Sequence, residues 1–350
     1  MFFYIYLCLF VFILSFSYTK CKNPYLALDI KILIFLFLFI PAALRFGIGT
    51  DYVNYVHIFN TFKNTNEIQQ EFGWKLINQF VLLNNLPVHF IFVIASFLTY
   101  FALFWTDKKS FWIVFFIYFL YLYTTSYNAV RNAISITFFW ASYTCLLKGK
   151  KIKGFLLILL GSLFHSSALV YIPVYLLMCF LRLSKKKTLI IAVIGYILLA
   201  RLRLAEHIMD STFLQGLRYA AYISRKEYNT ASSIGSGFGI LLRQFFLFLL
   251  YALCDESKSD KKEFNAVSVL FLFLLFSDIL MVQIVIFSRL LTIFYVAYMA
   301  CFRHIFIYKS KNAYIEVMKW GCLAYSIVFV FLWGLATNQN EVIPYTSIFD

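Results

Sequence analysis

Long apolar runs without charge are the feature that most restricts how this chain can fold. Residues 32–44, 111–123 and 267–275 contain no charged side chain, and 62% of the whole sequence is hydrophobic while 13% is charged. A soluble domain carries roughly a quarter charged residues. A helix crosses the ~30 Å hydrocarbon core of a bilayer with about 20 mostly apolar residues. The sequence therefore predicts an all-α, polytopic membrane protein.

About twelve apolar segments qualify as transmembrane helices, and we predict that they form a single transmembrane domain over residues 1–350. They lie at about 2–18, 30–44, 88–105, 111–127, 130–147, 154–165, 167–183, 188–204, 238–254, 264–282, 283–302 and 313–334. The first has neither a basic stretch before it nor a small-x-small cleavage site after it, so we interpret it as a span and not as a signal peptide. The short segment at 154–165 is either a half-helix or one arm of a hairpin that turns at His165.

The basic residues predict how these spans are oriented. Alternate junctions between spans hold 18 of the 31 lysines and arginines, at positions 20, 22, 108, 109, 148, 150, 151, 153, 182, 185–187, 258, 261, 262, 303, 309 and 311. Basic residues in short loops mark the cytoplasmic side. Both termini are therefore predicted to be extracytoplasmic, with two sizeable loops at about 45–87 and 205–237 and a tail at about 335–350. Because the net charge of +15 largely reflects this asymmetry, it does not indicate nucleic-acid binding.

Arginines predominate among the basic residues near the predicted outer ends of spans, whereas the inner junctions hold mostly lysine. Guanidinium groups bind phosphate in a bidentate manner that an ammonium group cannot match. The candidate pyrophosphate ligands are Arg45, Arg131, Arg243 and Arg289. The alternative is that such arginines touch lipid headgroups or pair with acids. The candidate acidic partners are Asp51, Glu71, Asp210, Glu227 and Asp278.

Five short motifs carry most of the remaining polar chemistry. They are Arg45-Phe-Gly47-Ile-Gly49-Thr-Asp51-Tyr52-Val-Asn-Tyr55, Glu71-Phe-Gly73-Trp74, Asn128-Ala-Val-Arg131-Asn132-Ala-Ile-Ser135, Phe164-His165-Ser166-Ser167-Ala168 and Pro344-Tyr345. The two glycines of the first motif permit a sharp bend or a close approach to a ligand. The aromatic residues of these motifs suit stacking on sugars.

These motifs supply the candidate site residues. His165 is the first choice for a catalytic base, followed by Asp51 and Glu71. The candidate sugar-binding residues are Tyr52, Tyr55, Trp74 and Tyr345. The structural alternatives are an interfacial aromatic belt, a hydrogen-bonded cluster around Arg131 and a histidine with a purely structural role. The sequence contains no HExxH, Walker A or Asp-x-Asp motif, so we predict neither a metal nor a cofactor.

The succession of motifs between residues 45 and 180, with the Pro344-Tyr345 tail, resembles the EpsG family, the Wzy-like polymerases of bacterial exopolysaccharide and capsule synthesis. Many relatives have glutamine near the position of Asn128. The resemblance implies a glycosyltransferase of the bacterial inner membrane, related in chemistry to O-antigen polymerases. Its donor and acceptor would both be oligosaccharides on polyprenyl pyrophosphate, such as undecaprenyl pyrophosphate. A chain-length regulator is an implied partner, and the lipid bilayer surrounds the protein.

Three alternative functions remain. A flippase of lipid-linked sugars would show internal repeats and helices broken near the midplane, and the two halves of the sequence show no convincing repeat. A membrane O-acyltransferase would place its polar cluster near a cytoplasmic acyl donor. A ligase that acts on a surface glycan would share the polymerase chemistry and differ only in its acceptor.

Overall fold

A computed structural model describes residues 1–65, 70–202 and 237–350 of the chain. Within these ranges all regular structure is helical, apart from one isolated antiparallel bridge between Arg45 and Ser347. The predicted all-α class is confirmed. Nearly all of the predicted outer loop at 205–237 lies outside the described residues, as do Asp210 and Glu227.

The helices follow one another with short breaks. The α-helices are α1 Phe2–Lys20, α2 Pro24–Leu44, α3 Tyr52–Thr65, α4 Phe72–Leu83, α5 Phe90–Leu103, α6 Phe111–Tyr118, α7 Thr125–Asn128, α8 Val130–Leu147, α9 Lys151–Ser162, α10 Tyr171–Phe180, α11 Lys185–Leu202, α12 Phe238–Ala252, α13 Lys261–Gln283, α14 Ser288–Ile293, α15 Val296–Ile307, α16 Ala313–Tyr325 and α17 Trp333–Ala336. Two π-helical stretches, Phe119–Tyr123 and Ser326–Leu332, and two 3₁₀ turns, Ser166–Val170 and Val285–Phe287, interrupt them.

The described residues pack into two compact units. Unit 1 comprises Met1–Tyr175 with Trp320–Asp350, and unit 2 comprises Leu176–Lys319. The predicted single transmembrane domain concerns the whole chain and stays a prediction.

Several helices have the length and composition of membrane spans. Among the described helices, four qualify alone, namely Phe2–Lys20, Pro24–Leu44, Lys261–Gln283 and Ala313–Ala336. A fifth candidate combines Val285–Ile293 with Val296–Ile307, which are bent by 42° at a short break. Shorter apolar helices are Phe90–Leu103, Phe111–Tyr123, Ser166–Phe180 and Phe238–Ala252. The chain is therefore a multi-pass membrane protein, while the number of twelve spans stays a prediction.

The outer helices of unit 1 show why a bilayer is the environment that suits them. In α1 one stripe is buried, and it includes Tyr4, Leu7 and Val11. The opposite side exposes large apolar side chains, among them Phe10 and Ile13, which are 51% and 56% exposed. Contiguous apolar surface of this kind is unfavourable in water and typical of contact with lipid.

The segment around His165 is a hairpin with short arms. Helix α9 has 12 residues and is about 18 Å long, which is shorter than the hydrocarbon core. The chain turns at residues 163–165, and the Tyr175 hydroxyl then donates a hydrogen bond to the carbonyl of Lys151 at 2.8 Å. Helix α10 thus returns alongside α9. Of the two possibilities left open by the sequence, the structure shows the hairpin.

The two ends of unit 1 differ in character. At one end, the Lys108 ammonium donates to the carbonyl of Cys21 at 2.7 Å, and the Lys153 ammonium lies 4.5 Å from the centre of the Trp105 ring. The lysine-rich junctions of unit 1 therefore lie together, and we call this its lysine end. Helices α2 and α9 lead away from that end and α8 returns to it, so the motifs at residues 45, 131 and 165 lie at the opposite end, called here the motif end.

We predict that the motif end is extracytoplasmic. Asn64 near the motif end and Lys150 at the lysine end are both exposed, so cysteine at either position can react with a maleimide. In intact cells a membrane-impermeant maleimide should label Asn64→Cys, and it should label Lys150→Cys only after permeabilisation. The unsubstituted chain measures the background from its seven native cysteines. Labelling of Lys150→Cys in intact cells would reverse the predicted orientation.

Candidate functional site

The carboxylate of Glu71 connects three of the sequence motifs at the motif end of unit 1. Its Oε2 atom forms an ion pair with Nη1 of Arg131. Its Oε1 atom accepts hydrogen bonds from the backbone N–H and the hydroxyl of Ser166, both at 3.0 Å, and lies 3.3 Å from Nδ1 of His165. We call these four residues the Glu71 cluster. Because Glu71 is only 12% exposed, its charge depends on these partners.

A glycine explains how Glu71 reaches the histidine motif. Glu71 precedes α4 but makes no side-chain bond to cap that helix. Two residues later, the Gly73 N–H donates to the carbonyl of Leu163 at 2.7 Å. A Cβ atom at Gly73 would lie 2.8 Å from that oxygen and 3.0 Å from the Phe164 ring. The first turn of α4 can therefore pack this closely against the end of α9 only without a side chain at position 73.

Arg131 is held at the beginning of α8. The Tyr55 hydroxyl interacts with both its guanidinium and its backbone, and its side chain is 22% exposed. The Nε atom is buried and has no hydrogen-bond partner among the described residues. A buried N–H without a partner is costly, by about 1–3 kcal/mol. Arg131 thus retains donor capacity that its pairing with Glu71 does not use.

The contacts within the cluster favour an ionised Glu71. Burial raises the pKa of Glu71, but hydrogen bonding with His165, the charge of Arg131 and the Ser166 amide together lower this pKa well below its ordinary value. An ionised carboxylate favours the His165 tautomer with its proton on Nδ1. Nε2 then carries a lone pair, and it makes no hydrogen bond within the described chain.

Arg45, a predicted pyrophosphate ligand, is enclosed in the core of unit 1. Its side chain donates to the carbonyls of Ala42 and Tyr127, and its guanidinium carbon lies 4.6 Å and 4.8 Å from the ring centres of Phe92 and Tyr127. The residue is 1% exposed. In this structure Arg45 stabilises the packing around the end of α2 and presents no surface to a ligand.

The predicted sugar-binding aromatic residues are also mostly covered. Tyr52, Tyr55 and Trp74 are 6%, 4% and 0% exposed and belong to one apolar cluster. Tyr345 stacks on Phe3 with the ring centres 4.2 Å apart. Because three of these four side chains are buried, they support the motif end and offer no open ring face to a sugar in this structure.

Asp51, the remaining predicted base, is exposed and immediately precedes α3. Its backbone carbonyl accepts a hydrogen bond from the Tyr55 N–H at 3.0 Å. No described contact joins its carboxylate to Glu71. Asp51 therefore stays a prediction as a second candidate for the base.

Arg243 and Arg289 belong to unit 2. Arg243 pairs with Asp278 at 2.6 Å between Nε and Oδ1, as the structural alternative predicted. Gln244 donates to the other oxygen of Asp278 at 3.1 Å. Arg289 is half-buried in the first turn of α14. As pyrophosphate ligands, both arginines stay predictions.

Some contacts around the site could not be read from the sequence. Ser166 was recognised only as part of a motif, whereas its backbone and hydroxyl both bind Glu71. The close approach at Gly73 had a visible signal in the sequence, because this glycine stands between two large aromatic residues, Phe72 and Trp74. Within the described ranges, no three His, Cys, Asp or Glu side chains are grouped as a metal site would require.

Comparison with protein families agrees with the motifs. The EpsG family matches residues 30–347 of the 350-residue chain. The chain therefore belongs to the EpsG family, and the resemblance inferred from its motifs is confirmed. No curated protein and no solved structure matches the chain.

The lowered pKa of Glu71 predicts a pH-dependent contribution to stability. The pKa of Glu71 is lower in the folded than in the unfolded state. The ionised carboxylate therefore contributes its full stabilisation above the unfolded-state pKa of about 4.3, and this contribution is lost as the pH falls through the folded-state pKa. Glu71→Gln should lower the Tm of the purified protein in detergent at neutral pH, and its difference from the unsubstituted chain should shrink below about pH 4.3. Asp29→Asn, which changes an exposed carboxylate, is the control. A difference that is equal at all pH values would contradict the ionised carboxylate.

Proposed function

We propose that this member of the EpsG family is a polysaccharide polymerase that joins polyprenyl-pyrophosphate-linked oligosaccharide units by glycosyl transfer. The observation that carries the proposal is the Glu71 cluster, where an acid, an arginine and a histidine from separate motifs meet at the motif end of unit 1. Membership of the family supports a role in polysaccharide biosynthesis. In the orientation proposed above, the cluster faces the side of the bacterial inner membrane to which lipid-linked units are exported.

His165 is the proposed general base. Its Nε2 atom accepts the proton of the acceptor hydroxyl while the hydroxyl oxygen forms a bond to the anomeric carbon of the donor sugar. The bond between that carbon and the pyrophosphate oxygen breaks, and the electron pair leaves with polyprenyl pyrophosphate. Glu71 orients the ring and stabilises the imidazolium that forms, which is a general way to use a carboxylate beside a histidine.

Arg131 is the proposed partner of the leaving pyrophosphate. Negative charge develops on this group as its bond to the sugar breaks, and donors already in place stabilise such charge most effectively. Nη1 is engaged by Glu71, so the remaining N–H groups would bind the phosphate oxygens. In this proposal guanidinium groups stabilise the charge of the leaving pyrophosphate without a metal or cofactor. Arg243 and Arg289 of unit 2 are further candidates for binding pyrophosphate.

The alternatives differ in what the loss of each protein leaves behind. Loss of a flippase keeps lipid-linked units on the inner leaflet, whereas loss of a polymerase leaves single units on the outer leaflet. A ligase shares the proposed chemistry, but its loss leaves finished polymer on the carrier lipid. An O-acyltransferase changes the acyl content of a glycan and not its length.

His165→Asn tests the base. The asparagine amide can replace Nδ1 as the donor to Glu71, so the cluster should keep its packing while Nε2 is lost. We expect polymer synthesis to fall by about 10²–10⁴-fold at normal protein level, with single repeat units accumulating on the outer leaflet. Ser162→Ala is the control, because this nearby serine is half-buried and its hydroxyl donates to the carbonyl of Leu159, outside the Glu71 cluster. Accumulation confined to the inner leaflet would contradict the polymerase and favour a flippase.

Arg131→Lys tests the pyrophosphate site. Lysine keeps a positive charge beside Glu71 but loses the planar fork, so we expect polymer synthesis to fall on the order of 10²-fold without a loss of protein. Lys75→Arg, a charge-conserving exchange at an exposed position on α4, should leave synthesis unchanged. A wild-type amount of polymer from the Arg131→Lys variant would show that this arginine has only a structural role. Activity that disappears with a chelator and returns with magnesium would contradict the proposed absence of a metal.

A further inference from the structure

Residues 338–348 consist of turns and irregular backbone with one bridge residue, Ser347, and are called here the tail strand for brevity. They fold back onto the glycine-rich segment of the first motif. The Phe46 N–H donates to the carbonyl of Thr346 at 3.0 Å, and the Thr346 hydroxyl donates back to the carbonyl of Phe46 at 2.6 Å. Further along, the Gly49 N–H donates to the carbonyl of Glu341 at 3.0 Å. These pairings hold the tail strand against the segment that follows α2.

Asn340 connects the tail strand to the turn that precedes α8. The Asn128 amide donates both to the backbone carbonyl of Asn340 at 3.2 Å and to its Oδ1 atom at 3.1 Å. The Asn340 amide in turn donates to the Thr124 hydroxyl at 3.1 Å. From the other side, a Cβ atom at Gly49 would lie only 2.5 Å from Asn128 Oδ1. Asn128 is therefore enclosed between the tail strand and the glycine-rich segment.

The position of Asn128 matters because α8 begins immediately after it. Asn128 is the last residue of α7, and Ala129 then leaves helical geometry with φ −86° and ψ 54° before α8 begins at Val130. No side chain caps this beginning of α8. Arg131 lies in the first turn of α8 and pairs there with Glu71. A displacement of Asn128 would therefore move the beginning of α8 and the guanidinium of Arg131.

We infer that Asn340 is a positioning residue of the Glu71 cluster, which acts through Asn128 on Arg131. For its effect on activity, this inference rests on the proposed function. It gives the tail strand a role beyond covering the end of unit 1, since it sets the geometry in which Arg131 meets Glu71. Groups that must be aligned for transfer lose about 10²-fold in rate when displaced by ~1 Å.

The activity test compares substitutions at Asn340 and its neighbour. Asn340→Ala should lower polymer synthesis on the order of 10- to 100-fold at normal protein level. Asn340→Asp should restore a large part of the synthesis that alanine loses, because the aspartate carboxylate can accept hydrogen bonds from both the Asn128 amide and the Thr124 hydroxyl. The control is Gln339→Ala, whose side chain is exposed. If Asn340→Ala does not accumulate, Thr124→Ala replaces it, because it removes one partner of Asn340 and should give a smaller loss. Full activity of the alanine variants, or no difference between alanine and aspartate, would overturn the inference.

A coupling measurement separates this inference from the proposed function. In detergent, Glu71→Gln and Asn340→Ala should each lower the Tm, and the double variant should show less than the sum of the two shifts, because groups that act through one another are not additive. Additive shifts would overturn the positioning role, even if Arg131→Lys abolishes polymer synthesis. Non-additive shifts in a protein whose Arg131→Lys variant makes normal polymer would instead leave the inference intact and contradict the proposed function.

Discussion

The motif end of unit 1 depends on one carboxylate that three other residues share. A largely buried charge requires a paired partner and hydrogen bonds, because its desolvation is otherwise not compensated. Glu71 obtains these from Arg131, His165 and Ser166. Since its partners belong to α8 and to the hairpin of α9 and α10, the ionisation of Glu71 requires α4, α8 and the hairpin to pack in one arrangement. The same requirement fixes the tautomer of His165 and the orientation of Arg131.

Unit 2 contains a second cluster of an acid, an arginine and a histidine, and it differs from the Glu71 cluster in how far its side chains are exposed. In unit 2, Glu263 pairs with Arg303, lies 3.6 Å from His304 and accepts a hydrogen bond from the Tyr308 hydroxyl at 3.0 Å. The His304 side chain is fully buried, and those of Arg303 and Glu263 are 10% and 8% exposed. The side chains of Arg131 and His165 are 22% and 20% exposed. The cluster in unit 2 thus joins α13 to α15 in the core, whereas the Glu71 cluster stays partly exposed.

Aromatic residues at the motif end contribute through packing more than through open faces. Tyr55 contacts Arg131 and also packs on Trp74, with ring centres 5.1 Å apart. Phe92 stacks on Tyr52 at 4.7 Å and lies beneath the Arg45 guanidinium. These contacts place the first motif, the Glu71 motif and α8 on one apolar support. The polar groups of the site are therefore held by buried rings on one side and by the tail strand on the other.

The helical class, the membrane environment and the family all follow from the amino-acid sequence alone. Each rests on a local property, because hydropathy sums over neighbouring residues and the motifs are short. The sequence also identified Glu71, Arg131 and His165 as separate polar candidates. That Arg131 and His165 meet on the Glu71 carboxylate is visible only in the folded chain, because this contact depends on the approach of Gly73 to Leu163 and on the hairpin turn. The folded chain likewise encloses Arg45, Tyr52 and Trp74, since residue type and spacing do not show which side of a residue its neighbours will cover.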